Sequence, residues 1–395
     1  MAAQGHRKWP GAALTIIFAA AYAALALASG LDRVAAYYPG LDRYVLEPFR
    51  VQSLAREARR YLAAGIAYSA LASTERLISL NPTGPESTAL LGAARMARGD
   101  NAGAERAFRV SAQHGWREPA TQIYWLRAAL AGGDYTLAAT RFSALARQWP
   151  RAPEISQLSA VFEADPRGRA ALSRRIADGE TWALTYADPG QNEPSERLAS
   201  RAEVLVAAGT LGRKLGCEGV ARMARSLAPS QPLVAATLWR AHCPSAAAFG
   251  AVADSGFEQA TSSSPMAPFA WNLPGDGALE VSFVPGAGGG QALSLRSSAA
   301  QILPVAVQMI PLRPGHYRLS WRSDAADAQS AAHVLASLSC RVERQQADPR
   351  PAVLAGGTQS SRLDFSGACA APWLQLWLVP GSQAIIIDDV VLTRL

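Results

Sequence analysis

The chain has almost no lysine. Only Lys8 and Lys214 occur among 395 residues, so arginine carries nearly all of the positive charge. The formal net charge is +7, yet the arginines are scattered among glutamates and aspartates, with no basic block and no interleaved aromatics. An extended nucleic-acid face needs such a block, and no nucleic-acid partner is expected. Histidine is sparse too: positions 6, 114, 242, 316 and 333 lie far apart, and no cysteine pair has Cys-x-x-Cys spacing. A zinc site is therefore not expected. Also missing are a Gly-x-Ser-x-Gly elbow, a His-Glu-x-x-His motif and a Ser/His/Asp or paired-glutamate constellation. No catalytic residue is expected, and the chain is not read as an enzyme. With 49 % hydrophobic and 17 % charged residues, global disorder is excluded as well.

What is present begins at the N-terminus. Residues 10–29, PGAALTIIFAAAYAALALAS, carry no charge and match the ~20 residues that cross a bilayer. His6, Arg7 and Lys8 precede them and place residues 1–9 in the cytoplasm by the positive-inside rule. Two readings compete. The Ala-Leu-Ala at 26–28 suits cleavage of a secretory signal, whereas the apolar run exceeds the usual ~7–15-residue signal core and favours an uncleaved anchor. Tyr37 and Tyr38 follow at roughly interfacial distance. Either way, the bulk of the chain is expected outside the cytoplasm, with residues 30–49 as a linker. The four cysteines agree. Cys217 and Cys243 fall in one helical stretch, Cys340 and Cys369 in the C-terminal part, which suits two disulfides in an oxidising compartment.

A period of 34 residues runs through the next segment. Gly65, Gly99 and Gly133 repeat at that interval, as do Ala70, Ala104 and Ala138, and Phe108 and Phe142; Pro82 and Pro150 lie two periods apart. The strings LLGAARMARGDNAGAERAF (90–108) and YWLRAALAGGDYTLAATRF (124–142) carry the pattern. It resembles the tetratricopeptide repeat: a small residue in helix A, a Gly-Asp turn, then alanine, an aromatic and a closing proline. Gly92, Gly99, Asp100, Ala104 and Phe108 match one copy, and Gly133, Asp134, Tyr135, Ala138, Phe142 and Pro150 the next. A weaker copy at about 50–82 has Thr74 where the aromatic belongs. Such units bury a core only by stacking, which implies an α-solenoid over 50–150 with a concave face for a protein partner. The resemblance places helix A along that groove, exposing Gln52, Arg59, Glu86, Ile123 and Arg127. Residues 151–245 read as further helical hairpins and a capping bundle that Cys217 and Cys243 tie together.

From residue 254 short alternating runs replace helices: ALEVSFV, QALSLRS, ILPVAVQMIPL, HYRLSWRS, HVLASLSCRV, WLQLWLVPG and AIIIDDVVLTRL. Turn residues separate them, the signature of an antiparallel sandwich. DSGFEQ (254–259) with PFAWNL (268–273), RPGHYRLSWRS (313–323) and IIIDDVVLTR (385–394) resemble the opening, central and closing strands of jelly-roll (galactose-binding-like) carbohydrate-binding modules. In those modules the opening glutamate and the aspartate before the final valine often hold a structural calcium. Glu258 and Asp389 stand at those places, against the alternative of ordinary solvated carboxylates; no other cofactor is expected. GAGGG (286–290) precedes no helix and reads as a hairpin loop rather than a phosphate cradle.

In PWLQLWLV (372–379), strand alternation puts Trp373, Gln375 and Trp377 on one face and three leucines on the other. The leucines suit the core. The other face is a sugar-stacking platform, a buried second layer or a protein-docking patch.

The expected fold class is thus multidomain α and β: a transmembrane helix, a tetratricopeptide-like solenoid and a jelly-roll sandwich. The resemblances imply a periplasmic, inner-membrane-anchored scaffold in exopolysaccharide or other envelope glycan assembly or export. The repeat groove would bind protein and the sandwich polysaccharide. The alternative is a scaffold for another envelope machine whose sandwich binds no sugar.

Overall fold

The computed structural model describes residues 10–38, 40–190, 192–243, 247–260, 267–274, 277–324, 333–342, 352–353 and 357–395; the expected cytoplasmic segment 1–9 lies outside them. The chain divides into two compact units, Met1–Gln148 and Trp149–Leu395.

The first unit opens with α1 (Pro10–Ala35). Within Leu14–Ala35 its most apolar 18-residue window has a mean hydropathy of 2.0, and none of that window is buried. Six helices follow: α2 (Val51–Ala63), α3 (Ala67–Leu80), α4 (Pro85–Ala97), α5 (Asn101–Gln113), α6 (Pro119–Ala131) and α7 (Tyr135–Gln148). They pair as three successive hairpins in the 34-residue register. Local chemistry sets each boundary. Pro85 and Pro119 stand at the first helical positions of α4 and α6, where a missing N–H costs nothing. Gly65, Gly99 and Gly133 end the first helix of each hairpin with φ of 71°, 81° and 74°, a conformation that other residues resist. Asp100 caps α5 by accepting from the Gly103 N–H at 2.8 Å, and Asp134 accepts from Leu137 N at 2.9 Å.

Ala70, Ala104 and Ala138 are fully buried where the paired helices approach. The Phe108 ring lies so near Gly92 that a Cβ there would come within 2.9 Å of it, and it stacks on Tyr124 at 4.2 Å. Thr74, at the aromatic's place in the first copy, is also buried, its hydroxyl donating to the Leu71 carbonyl at 2.9 Å.

Within residues 30–49, read as a linker, α1 continues to Ala35, and two 3-10 turns, Asp42–Tyr44 and Glu47–Phe49, precede α2. Asp32 and Ala35 are buried.

The second unit begins with α8 (Pro153–Ala164), α9 (Pro166–Ala177), the single turn α10 (Ala183–Tyr186), α11 (Ser195–Thr210), α12 (Gly216–Leu227) and α13 (Pro232–His242). Cys217, in the first turn of α12, is bridged to Cys243, just past α13, at a Cα separation of 4.6 Å. Strands then run β1 (Leu279–Pro285), β2 (Gln291–Ser297), β3 (Leu303–Met309), β4 (Gly315–Ser323), β5 (Val334–Ser339), β6 (Ala352–Val353), β7 (Thr358–Phe365), β8 (Trp373–Leu378) and β9 (Gly381–Arg394). They form two antiparallel sheets, ordered β1-β2-β9-β4-β7-β6 and β3-β8-β5. The shared core includes Leu293, Leu319, Trp321 and Ile387 from the larger sheet with Ala306, Val334, Leu374 and Leu376 from the smaller. Residues 286–290 form the β1–β2 hairpin loop, with Gly289 N donating to the Gly286 carbonyl at 3.1 Å.

Helix and sandwich meet within this unit. Trp239 of α13 packs on Phe269 with ring centroids 6.5 Å apart, and the Gln308 amide bonds both backbone groups of Ala253 at 2.9 and 3.0 Å. The second disulfide, Cys340–Cys369, joins the chain after β5 to the loop before β8 at a Cα separation of 5.8 Å. Removing either bridge by a double Cys→Ala change should cost about 2–4 kcal/mol, read as a lower melting temperature. Unreduced peptide maps should show both pairings, and four free thiols would overturn the expectation.

Candidate functional site

The β8 face is built by its neighbours. Cross-strand partners share a face, so Trp373 lies beside Met309 and Ser339, Gln375 beside Val307 and Ser337, and Trp377 beside Pro304 and Leu335. Trp377 and Gln375 are completely buried, Val307 and Leu335 nearly so, and Trp373 half-buried. The indole N–H of Trp377 donates to Ser337 Oγ at 2.9 Å, and Gln375 Oε1 accepts from Ser339 Oγ at 3.3 Å. Of the three readings of this face, the burial of Gln375 and Trp377 matches a second buried layer and leaves no open sugar platform there. A dry layer must satisfy the polar ends of Trp and Gln, and the serines of β5 do so. Leu374, Leu376 and Leu378 face the core between the sheets.

A polar site forms where the opening segment meets β9 and the β1–β2 loop. Val390 N donates to the Ser255 carbonyl at 2.9 Å, joining the two ends of the sandwich. Asp254, Phe257 and Asp389 have φ of 54°, 57° and 50°. Left-handed backbone at three non-glycine residues is costly and concentrates here.

Its effect at β9 decides which carboxylate points inward. Asp388 is buried, whereas Asp389 is exposed and pairs with Arg322. Glu258 Oε1 and Asp388 Oδ1 lie 3.4 and 3.5 Å from the point where a Cβ on Gly256 would stand. The pair sharing the cradle is therefore Glu258 with Asp388, whereas the resemblance pointed to Asp389, the aspartate before the valine. A motif cannot foresee that this residue adopts a left-handed backbone. Sequence reasoning also missed Arg322, whose Nη2 is 3.9 Å from Asp388 Oδ2.

The glycine loop fits this cradle. A Cβ on Gly290 would sit 2.1 Å from Glu258 Oε1, and one on Gly286 would sit 2.9 Å from Asp388 Oδ2. Glycine is thus required for close approach rather than for turning alone. Glu258 Oε1 accepts from Gln291 N at 2.9 Å and Asp388 Oδ1 from Asp389 N at 2.7 Å. Burial holds the neighbouring Asp254 carboxyl above its usual range, although Gln259 N donates to it at 3.0 Å.

Two carboxylates with the carbonyls of Gly289 and Gln291, both 3.4 Å from that Gly286 Cβ position, make an all-oxygen donor set of the kind calcium prefers. Among the described residues there is no group of three or more His, Cys, Asp or Glu side chains placed to hold a metal. Glu258, Asp388 and backbone carbonyls are the atoms that would hold the ion, knitting the sandwich ends together. If they do, a chelator should lower the melting temperature of the full chain by several degrees. Asp388→Asn should abolish that shift and Asp389→Asn leave it. A melt unaffected by chelation would overturn the ion and leave Arg322 as the cation beside Asp388.

In the first unit, Arg59 of α2 pairs with Glu86 of α4. Ile123 is half-buried, and Gln52 and Arg127 are exposed. Glu118, just before α6, was not foreseen. Burial holds its carboxyl above the usual range, against the opposing pull of Arg59. The structure therefore brings Arg59, Glu86 and Glu118 into one electrostatic neighbourhood, with Ile123 and Arg127 one turn apart on α6.

No family model, no curated protein and no solved structure matches this chain.

Proposed function

We propose that the protein is an envelope scaffold, anchored in the inner membrane by α1, with its repeats and sandwich in the periplasm. The observation that carries the reading is α1 itself, long and apolar enough to cross a membrane, with none of its apolar stretch buried. In water such a helix exposes a patch far larger than soluble monomers tolerate. The disulfides support an oxidising compartment. The three hairpins are tetratricopeptide-like units whose first helices offer a groove around Arg59, Glu86, Ile123 and Arg127 to a protein partner. The sandwich is a jelly-roll-like module that holds the assembly together.

Service to a glycan assembly or export machine rests on the likeness of the opening and closing strands to carbohydrate-binding modules. With Trp377 and Gln375 buried, any sugar contact falls away from the β8 face. That burial favours the sandwich as a docking module over the sandwich as a glycan reader.

The test is made in cells. Fractionation should leave the intact chain in the membrane, and a soluble chain beginning near Ser29 would remove the anchor. A photo-crosslinker at Arg127 should trap one envelope protein, and the same probe at the exposed Arg106 of α5 should not. Deleting the gene should lower exported polysaccharide severalfold; normal polysaccharide with the crosslink intact would assign the scaffold to another envelope machine.

A further inference from the structure

The joint between α1 and the first repeat is a built contact. Asp32, 3 % exposed, lies in the last turn of α1 and reaches across to the start of α2. Its Oδ2 accepts from Gln52 N at 2.7 Å, and its Oδ1 accepts from Ser53 N at 2.9 Å and Ser53 Oγ at 2.7 Å. No side chain adjoining α2 in sequence caps it, so Asp32 supplies the N-cap from 20 residues away. The apolar helix is thereby locked to the repeat unit.

Around this joint the chain is turned inside out. Ala35 and Val45 face inward, while Val34, Tyr37, Tyr38, Tyr44 and Leu46 are 46 %, 83 %, 64 %, 58 % and 63 % exposed. Five large apolar or aromatic side chains pointing outward within thirteen residues do not suit water. Arg33 and Arg43 are exposed among them, and the Arg43 guanidinium stacks over the Tyr44 ring at 4.7 Å. Among the described residues neither arginine has an ion pair; the acidic groups nearby are engaged elsewhere, Glu47 by Arg50 and Arg76 and Asp42 by Arg56 at 3.7 Å.

Tyrosines at headgroup depth, with guanidinium groups free to meet lipid phosphates, are what the edge of a bilayer selects. From this geometry we infer that residues 33–46 form an interfacial collar seating the first repeat on the lipid surface from which α1 emerges. Asp32 fixes the repeat unit's orientation to that surface. The occupant is lipid rather than another protein because the collar continues directly from the unburied apolar stretch of α1. The inference rests on α1 being an uncleaved anchor.

The experiment uses the full chain in vesicles of phosphatidylethanolamine and phosphatidylglycerol. Nitroxide labels are placed by Tyr37→Cys, Tyr44→Cys and, as a control in the last hairpin of the unit, Leu137→Cys. Relaxation by oxygen, which partitions into lipid, is compared with relaxation by a water-soluble nickel chelate. At positions 37 and 44 the oxygen-to-nickel ratio should exceed that at 137 severalfold. Asp32→Ala should collapse the ratio at 44 towards the control, and Asp32→Asn, which keeps a capping oxygen, should preserve it.

Equal ratios at all three sites on vesicle-bound protein would overturn the collar and leave the anchor standing. A label at 44 shielded from both relaxants would overturn it in favour of a second protein surface. An unchanged ratio in Asp32→Ala would overturn the clamp. A chain that does not float with the vesicles would remove the anchor and the collar together.

Discussion

Trp377→Ala is expected to destabilise the second unit by about 3–5 kcal/mol. The ring is completely buried on the outer face of β8, against Leu335 and Pro304 across the strands, and its N–H is held by Ser337. Truncation leaves a cavity the size of an indole and strands a serine hydroxyl. Such a loss is a large fraction of the ~5–15 kcal/mol available to a domain. Trp373→Ala, at the half-buried end of the strand, should cost much less. Ser337→Ala, which orphans the indole N–H, should fall between at about 1–3 kcal/mol. Thermal and denaturant melts of the three variants decide. A Trp377→Ala protein as stable as wild type would restore the exposed-platform reading that the burial removes.

The second large effect lies among the helices. Arg201 on α11 is 4 % exposed and donates twice to Glu193, from Nη2 at 2.5 Å and Nη1 at 3.0 Å, while its Nε donates to Glu163 Oε1 at 3.1 Å. Arg197 holds the other Glu163 oxygen at 3.0 Å, and the Arg201 guanidinium lies over the Tyr186 ring at 5.1 Å. The cluster ties α8, the turn α10 and the irregular stretch before α11 into one body. Arg201→Met leaves two carboxylates out of water with one cation between them, a change expected to cost about 3–5 kcal/mol.

The pH dependence follows from Glu193. Burial pushes its carboxyl up, but the Gly190 N–H and the Arg201 and Arg197 guanidinia outweigh that, and the net displacement is below the ordinary 4.5. A carboxyl lowered in the folded state contributes stability that is fully present above its unfolded value. That contribution is lost as pH falls through the lowered one. Wild type should therefore keep this contribution above about pH 4.5 and lose it below. In Arg201→Met the acid midpoint should move upward. An unchanged acid limb, with unchanged stability at neutral pH, would show that the cluster contributes nothing. Glu193→Gln provides a second check, since it removes the titration while keeping the shape.

Why the repeat was legible and β7 was not comes down to which residues bear the pattern. Glycine at 65, 99 and 133 is needed for a backbone conformation, and Ala70, Ala104 and Ala138 for close approach; both demands are local and recur in the string itself. Strand β7 reads Thr-Gln-Ser-Ser-Arg-Leu-Asp-Phe, with apolar residues only near its end. It is a strand because β4 lies beside it, pairing Trp321 with Gln359 and Leu319 with Ser361.

The sequence by itself determined the apolar N-terminal run, the helical hairpins, the cysteine partners and the change to strands after residue 254. Each depends on periodicity, on special backbone residues or on spacing along the chain. Tertiary structure alone decided which face of β8 is covered, since alternation separates two faces without saying what lies against either. It decided that Asp388 rather than Asp389 meets Glu258, because a left-handed residue reverses the order of two adjacent side chains. It decided also that residues 30–49 hold rather than merely connect. Asp32 meets Gln52 and Ser53 only after the chain has turned back on itself, and a hydrogen bond closed across twenty residues leaves no mark on the residues between.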